Sequence, residues 1–434
     1  MKIAIKGGHI IDPSQAIDWI GDIFIDDGRI KDVRKQSAAF RSPGEEQSGG
    51  DDPEIRTIDA KDMFVLPGLI DMHVHLREPG FEYKETIQTG TLAAVKGGFT
   101  TVCCMPNTFP VNDNASVTEF IKRKASQEGH CMVFPIGAIT KSQKGIELAE
   151  IGTMRDEGCI AFSDDGQPVM NSLIMRRALE YSKAFNVPII SHCEDTTLSE
   201  AGLMNEGLLS VTLGLRGIPA EAEQIMIFRD IVLAELTGGR LHIAHVSTEG
   251  SVSLIRSMKK RGANVTAETC PHYFSITEEA VKGYDTHAKV NPPLRTARDI
   301  EAIKEGLRDG TIDVIATDHA PHHRDEKLRE FDMAPFGISG LETAVSLSLK
   351  LVDEGLLTMS QLVEKMATNP ARIMQIERGA IKADTEASLV LVDKNKKYTV
   401  EAQKFVSKGK NTPFEGWTLK GMPVLTICRG KIYE

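Results

Sequence analysis

The sequence predicts an α/β protein, a (β/α)8 TIM barrel joined to a small β-sandwich-like domain built from both chain ends. Three observations predict it. Eight short apolar runs recur between about residues 68 and 319, amphipathic segments separate them, and both termini instead show the two-residue alternation of half-exposed strands.

In chain order, KIAIKGGHIID, GDIFIDDGRIKDV and the stretch around DMFVLPG alternate apolar and polar residues between Gly and Asp-Gly turns, so 1–66 reads as β structure. Within it, 36–55 is rich in Ser, Gly, Pro and acids and reads as a flexible surface loop. The eight strand candidates follow: GLIDMHVH, TTVCCMPN, MVFPIGAI, CIAFSDDG, VPIISHCE, LHIAHVS, NVTAETC and DVIATDH. Between them, segments such as VTEFIKRKASQEG, IMRRALEYSKAF, AEQIMIFRDIVLAEL and SVSLIRSMKKRG repeat apolar residues every three or four positions, as helices do. Continuously apolar strands alternating with helices mean a parallel sheet covered on both faces. Eight such units over some 250 residues suit a barrel better than an open sheet, and no G-x-G-x-x-G turn opens any helix. After helices at LETAVSLSLKLVDEG and SQLVEKMATNPARIMQ, strand patterning returns in ASLVLVDKN and MPVLTICRGKIYE. The expected organisation is therefore 1–66 and 380–434 as the two parts of the small β domain, and 67–379 as the barrel.

At 434 residues with 41% apolar and 26% charged content, the chain reads as an ordinary globular protein. A net charge of −10 argues against a nucleic-acid or anionic-membrane binder. No apolar leader run opens the chain and no long uncharged stretch follows, so a cytoplasmic location is expected. The seven cysteines form no Cys-x-x-Cys pair and sit mostly in strand-like runs, which reads as buried, reduced thiols.

The polar residues fall where a barrel puts its chemistry. Seven of the eight strand candidates end in a polar group, and most of those groups are metal ligands by type: His73 and His75 close the first, Asp164 and Asp165 the fourth, His192 the fifth, His245 the sixth, Asp318 and His319 the eighth. C-terminal strand ends converge on one mouth. His73 and His75, two apart on a strand, share a face. A single histidine is more often a packed or turn residue, but four histidines and two aspartates at strand ends are poorly explained by coincidence. Imidazole and carboxylate ligands favour zinc or a similar divalent ion. Two ions fit the set, His73 and His75 holding one and His192 and His245 the other, with a carboxylate and a hydroxide between them. Asp318 is suited to bind a metal and to take a proton from the attacking water.

Other polar groups read as substrate contacts. Arg77, two residues after His75, has the geometry to grip a carboxylate bidentately, with a surface ion pair as the bland alternative. Asn107 in MPNT, Asn291 in KVNPPLR and His322 in DHAPHH lie near the expected mouth, although each equally suits a turn cap. Gly337 in APFGISG lets backbone approach a ligand closely. His319 should point away from Asp318; His272, flanked by aromatics, reads as packing; Lys141 reads as solvated.

Taken together, GLIDMHVHLREPGFEYKETIQTG, GGFTTVCCMPNT, AFSDDGQPV, SHCED, AHVST, NPPLR and IATDHAPH resemble the dihydroorotases of the amidohydrolase superfamily, of the bacterial class I type with aspartate at the bridging position. The likeness runs from about Pro67 to Gly340, and the terminal β segments share it. HVHLREPG with MPNT and TDHAPH is a specific combination, whereas His-x-His alone marks only the superfamily. The resemblance implies reversible hydrolysis of (S)-dihydroorotate to N-carbamoyl-L-aspartate in pyrimidine (UMP) biosynthesis, by metal-activated hydroxide attack on the ring amide with Asp318 as proton shuttle. It implies one or two Zn2+ per chain, two favoured, on His73, His75, Asp165, His192, His245 and Asp318. It implies substrate contacts from His75, Arg77, Asn107, Asn291, His322, Phe336 and Gly337, Arg77 and Asn107 holding the carboxylate. Asp165 is preferred to Asp164 from the family pattern, since spacing does not separate them. Hydantoinases carry a carboxylated lysine at the strand end corresponding to FSDDG, where this chain has none. A homodimer, and aspartate transcarbamoylase as a partner, are the expected assemblies. The alternatives are another cyclic amidohydrolase, an allantoinase or hydantoinase, and a non-catalytic partner of aspartate transcarbamoylase; the full ligand set speaks against the last.

Overall fold

A computed structural model describes residues 1–36 and 55–434. The expected 36–55 loop therefore lies, apart from its two end residues, outside the described residues. The strands are, in chain order, β1 Lys2–Asp12, β2 Ile17–Asp26, β3 Arg29–Lys35, β4 Ile55–Asp59, β5 Phe64–Pro67, β6 Leu69–Val74, β7 Phe99–Cys104, β8 Met132–Pro135, β9 Phe162–Ser163, β10 Ile189–Ser191, β11 Met204–Asn205, β12 Gly217–Ile218, β13 Leu241–Ile243, β14 Val265–Thr269, β15 Val314–Ile315, β16 Leu389–Thr399, β17 Thr418–Cys428 and β18 Lys431–Tyr433.

Strands from the two chain ends hydrogen-bond into one sheet, in the order β18-β17-β16-β5-β1-β2-β3, with β4 pairing β1. The join is β16 against β5, antiparallel, Leu391 opposite Val65. Alternate residues Ile3, Ile5, Ile23, Ile25, Leu389, Leu391 and Ile427 make an apolar cluster under this sheet, which is the period-two pattern of the sequence expressed as packing.

All eight expected apolar runs contain a strand. They form two parallel sheets, β6-β7-β8 and β15-β14-β13-β10-β9. Two further parallel bridges run between these sheets, Gly137 to Phe162 and Val74 to His319. Helices such as Ile87–Lys96, Ala115–Glu128, Ser172–Ser182, Glu221–Thr237 and Glu249–Lys260 connect successive strands. Several start on side-chain caps: Thr86, Asn114, Asn171 and Thr248 each accept a bond from a first-turn backbone N–H. The strands are buried along their length in β6, β7, β9, β10 and β13. All seven cysteines are buried free thiols.

One expected helix differs. SQLVEKMATNPARIMQ is helical without a gap as expected, but its middle, Glu364–Thr368, is a π turn set between Met359–Val363 and Asn369–Met374. Pro370 supplies no N–H to the preceding turn, and widening that turn accommodates it.

Candidate metal centre and active site

The ligand-type residues stand at or just beyond the C-terminal ends of their strands. His73 is in β6 and His75 one residue past it; the His75 N–H donates to the His319 carbonyl at 2.9 Å, which sets the end of β6 beside the segment carrying Asp318. Asp165 follows β9 by two residues, His192 follows β10 directly, His245 follows β13 by two and Asp318 follows β15 by three. All are buried. Arg77, His245 and Asp318 have φ of 63°, 32° and 47°, a left-handed conformation that costs of order 1–3 kcal/mol for a residue with a side chain and clusters at functional sites.

Two groups of donor atoms converge, His73 with His75 and Asp165, and Asp165 with His192 and His245. Asp165 joins them. Its Oδ1 lies 3.3 Å from His73 Nε2, 3.7 Å from His192 Nδ1 and 3.6 Å from His245 Nε2, and its Oδ2 lies 3.5 Å from His75 Nε2. Asp164 faces elsewhere: its carboxylate accepts the Ile139 and Thr140 N–H groups and the Thr140 hydroxyl. Asp318 Oδ1 stands against the first group, 3.0 Å from His75 Nε2 and 3.5 Å from His73 Nε2.

The tautomers explain this crowding. His73 Nδ1 donates to Glu268 Oε1 at 2.7 Å, His75 Nδ1 to Asn107 Oδ1 at 2.8 Å, and His192 Nε2 to Glu194 Oε2 at 3.0 Å. A neutral imidazole with one N–H so engaged presents a bare lone pair on its other nitrogen. Those lone pairs face the carboxylates of Asp165 and Asp318, and His192 Nδ1 faces His245 Nε2 at 2.8 Å. His73 Nε2 and Asp165 Oδ1 are buried with no hydrogen-bond partner. Groups so opposed are relieved either by protons or by a cation between them, and nitrogen and carboxylate donors suit a zinc-like ion.

The electrostatics agree. Burial opposes charge on His73, but Asp165, Asp318 and Glu268 outweigh it and hold the imidazole well above its usual pKa. Burial likewise opposes charge on Asp165 and Asp318, yet His73 and the neighbouring imidazoles hold both carboxyls below the usual range. Without an ion the cluster gathers protons around its carboxylates; a divalent cation can take their place.

A cavity of about 320 Å³ opens above this cluster, and every sequence-expected substrate residue lines it: His75, Arg77, Asn107, Asn291, His322, Phe336 and Gly337. His73 lies beneath, fully buried. Asn107 has two local partners, His75 and Asp165 Oδ2 (3.4 Å). Asn291 Nδ2 donates to Glu194 Oε2 at 2.8 Å. His322 Nε2 is 2.8 Å from the Phe336 carbonyl and 3.3 Å from Arg77 Nη2. The shorter contact requires the proton on Nε2, which leaves that Arg77 nitrogen beside the ring without an acceptor there. Burial pushes the His322 pKa down to about 3. Gly337 has φ 142°, and a Cβ there would lie 2.7 Å from the Ala320 carbonyl oxygen, so the backbone approach is open only to glycine.

The residues set aside by sequence are not among those lining the cavity. His319 Nδ1 accepts the Gly340 N–H and its Nε2 faces Ser407. Lys141 pairs with Glu147 on the surface. His272 packs at 4.2 Å on Tyr273, and burial pushes its pKa to about 4. The sequence reading missed Glu268 and Glu194, the two carboxylates behind His73 and His192. Glu268 also accepts from His242 Nε2 at 3.1 Å. The available signal for Glu268 was an acid inside the strand run NVTAETC.

Comparison with known proteins agrees with this geometry. The chain superposes on an L-hydantoinase (dihydropyrimidinase) from Arthrobacter aurescens with TM-score 0.85 and 26% identity, covering 99% of this chain and 95% of that one. A D-hydantoinase (dihydropyrimidinase) from a Thermus species matches with TM-score 0.81 at 25% identity, covering 99% and 94%. The fold is thus that of the α/β cyclic amidohydrolases, with a His/Asp metal-binding cluster in its cavity. The sequence model of the Dihydro-orotase-like family matches residues 62–251. Dihydroorotases from Geobacter metallireducens and Syntrophus aciditrophicus are 55% and 52% identical over 432 residues, covering 100% of this chain and 99% of each relative. The chain belongs to the dihydroorotase family.

Proposed function

We propose that this protein is a zinc-dependent dihydroorotase that hydrolyses the ring amide of (S)-dihydroorotate reversibly to N-carbamoyl-L-aspartate, a step of pyrimidine biosynthesis. The observation that carries the reading is the carboxylate of Asp165 set between two histidine pairs at the floor of a cavity whose wall bears Arg77. His73 and His75 would hold one Zn2+ and His192 and His245 a second, with the Asp165 carboxylate within reach of both groups and Asp318 beside the first pair. Ions so held supply Lewis acidity at the amide carbonyl and lower the pKa of water toward 7. Asp318 takes the proton from the attacking water and returns it to the ring nitrogen as the C–N bond opens; ring closure reverses both transfers. Arg77 grips the substrate carboxylate, Asn107 and Asn291 complete its polar contacts, and His322, Phe336 and Gly337 close the wall around the ring. An absorbance assay of zinc-loaded protein with dihydroorotate, hydantoin and allantoin in parallel tests this. Chelator-sensitive turnover of dihydroorotate alone is the expected result, and turnover of hydantoin instead would transfer the site to the other amidohydrolases.

We also infer the following architecture and setting. The bridges at Gly137–Phe162 and Val74–His319 support closure of the eight parallel strands into a (β/α)8 barrel over 67–379. The separate apolar cluster of the terminal sheet supports a small sandwich-like domain of 1–66 and 380–434. No described helix is long and apolar enough to cross a membrane, which fits the proposed cytoplasmic setting. A homodimer is the proposed assembly. On the helix Glu221–Thr237 the side chains of Ile225, Phe228, Val232 and Leu236 form an exposed stripe. Acidic Glu221 and Glu235 flank it, and exposed Arg177 on the adjoining helix offers the opposite charge to a two-fold-related copy. Sedimentation of Phe228→Asp tests the surface, a monomer being expected. Aspartate transcarbamoylase, whose reaction makes the carbamoyl-aspartate substrate, is the proposed second partner, to be tested by co-sedimentation.

A further inference from the structure

The cavity wall facing the histidines is irregular chain. Residues 331–337 form no helix or strand, yet Phe331, Ala334 and Gly337 are buried. Buried carbonyls of such a segment need donors from elsewhere. Two lysines supply them. Lys289 Nζ donates to the carbonyls of Phe331 (2.6 Å), Ala334 (2.6 Å) and Asp332 (3.2 Å), and it lies 4.7 Å over the Phe336 ring. Lys327 Nζ donates to Pro335 (2.7 Å), Thr286 (2.9 Å) and the carbonyl of Lys289 itself (3.3 Å). The Gly337 N–H returns to the Lys289 carbonyl at 2.9 Å. The two side chains are 2% and 3% exposed, and neither ammonium has a carboxylate partner among the described residues.

An ammonium buried without a counter-ion is costly to keep in place of an apolar residue. Each of these two instead serves as a hub with three acceptors, the full donor capacity of the group. Between them they take up four of the five carbonyls from Phe331 to Pro335. The remaining neighbour, Phe336, gives its carbonyl to His322. The segment that lines the cavity is thus fixed from behind by two lysine side chains, whose pKa values burial lowers to about 8 for Lys289 and about 7 for Lys327, rather than by its own secondary structure.

We propose that Lys289 and Lys327 are positioning residues for substrate binding, holding 331–337 in the shape that Phe336 and Gly337 present to the ring. This rests on the function proposed above. Neither lysine touches the metal-binding groups, so loss of an ammonium leaves the ion site alone and loosens only the opposite wall. A binding-site segment that must be ordered anew by each substrate binds it more weakly, and weakening that affects ground and transition states alike appears in KM rather than kcat.

The test is a graded series, Lys289→Gln, Lys289→Met, Lys327→Gln and Lys327→Met, in the full chain loaded with zinc. Glutamine keeps two N–H donors and methionine keeps none. The expected result is wild-type zinc content, kcat within about threefold, and KM for dihydroorotate raised tenfold or more by methionine and less by glutamine. Soluble methionine variants with KM within twofold of wild type overturn the proposal, as does a glutamine variant no better than methionine. Trypsin cleavage after Arg329, an exposed residue in front of the segment, gives a second reading that needs no substrate. Cutting at least tenfold faster in the methionine variants supports the clamp, and unchanged cutting overturns it. A wild-type chain without turnover of dihydroorotate would sink the functional reading instead, while the proteolysis still decides the clamp.

Discussion

Glu268 accepts a hydrogen bond from His73 Nδ1 across 2.7 Å in a setting where both side chains are almost wholly buried. The bond fixes the imidazole tautomer, aims Nε2 at Asp165 and Asp318, and increases the basicity of that nitrogen. Glu268 is held in turn by His242, whose Nδ1 reaches Thr266. The carboxylate therefore acts on the metal site without reaching it.

Removing such a carboxylate commonly lowers metal affinity by 10–100-fold. Glu268→Gln, which keeps an acceptor for Nδ1 but loses the charge, should lie near about tenfold, and Glu268→Ala toward about a hundredfold. Competition with a zinc chelator, read as retained metal per chain, measures both. Wild-type retention in the alanine variant would mean that His73 is oriented by packing alone.

Asp318→Asn retains the size and most of the contacts of the side chain while removing its ability to carry a proton. Positioned general acid–base groups contribute typically ~10²–10⁴-fold, so kcat should fall by at least about a hundredfold. Zinc content and melting temperature should stay close to wild type, because the four histidines and Asp165 remain. Rate and metal lost together would make Asp318 chiefly a ligand.

How much of this was legible in the sequence follows from distance along the chain. The strands were readable because continuous burial writes itself as unbroken apolar runs, and the ligand-type residues because they interrupt those runs at one end. His73 and His75 even carried their relative orientation, two apart on a pleated strand. Asp164 and Asp165 could not be separated, because which one turns inward depends on the Ile139–Thr140 backbone, some 25 residues earlier, capturing the other. Glu268 was invisible as a partner since it meets His73 from another strand, 195 residues along the chain, whereas Glu194 stands only two residues from His192 and was within reach of a local reading. Lys289 and Lys327 read as ordinary charged residues, because their acceptors are backbone carbonyls, which every sequence has.

Arg77 presents its guanidinium to the cavity with the Pro321 carbonyl holding Nε at 3.2 Å. Charge-assisted bonds to a carboxylate contribute roughly 1.5–3 kcal/mol. Arg77→Ala should therefore raise KM for both dihydroorotate and carbamoyl-aspartate about 10–100-fold. Arg77→Lys, which cannot grip bidentately, should recover only part of that. Steady-state kinetics in both directions, beside a zinc determination, make the measurement; unchanged KM values place the carboxylate elsewhere.

His322 supplies a pH prediction whose sign can be worked out. Its folded pKa, about 3, lies below the ordinary value of 6.5 because burial disfavours the charged ring. The unfolded chain therefore binds a proton between about pH 3 and 6.5 that the folded chain does not, and this one residue makes stability rise with pH across that window. On acidification from pH 7 to 5 its contribution falls by about 2 kcal/mol, from 1.36 kcal/mol per pKa unit. His322→Gln, which keeps a donor for the Phe336 carbonyl, should show a pH 7-to-5 loss of stability smaller than wild type by about that amount in urea unfolding. In histidine labelled at the ring carbon, the His322 signal should not titrate above pH 5. A midpoint near 6 would show instead that the ring takes up a proton within the fold, with Nδ1 then donating to Glu326, 3.4 Å away, and the neutral wall drawn here for the cavity would have to be given up.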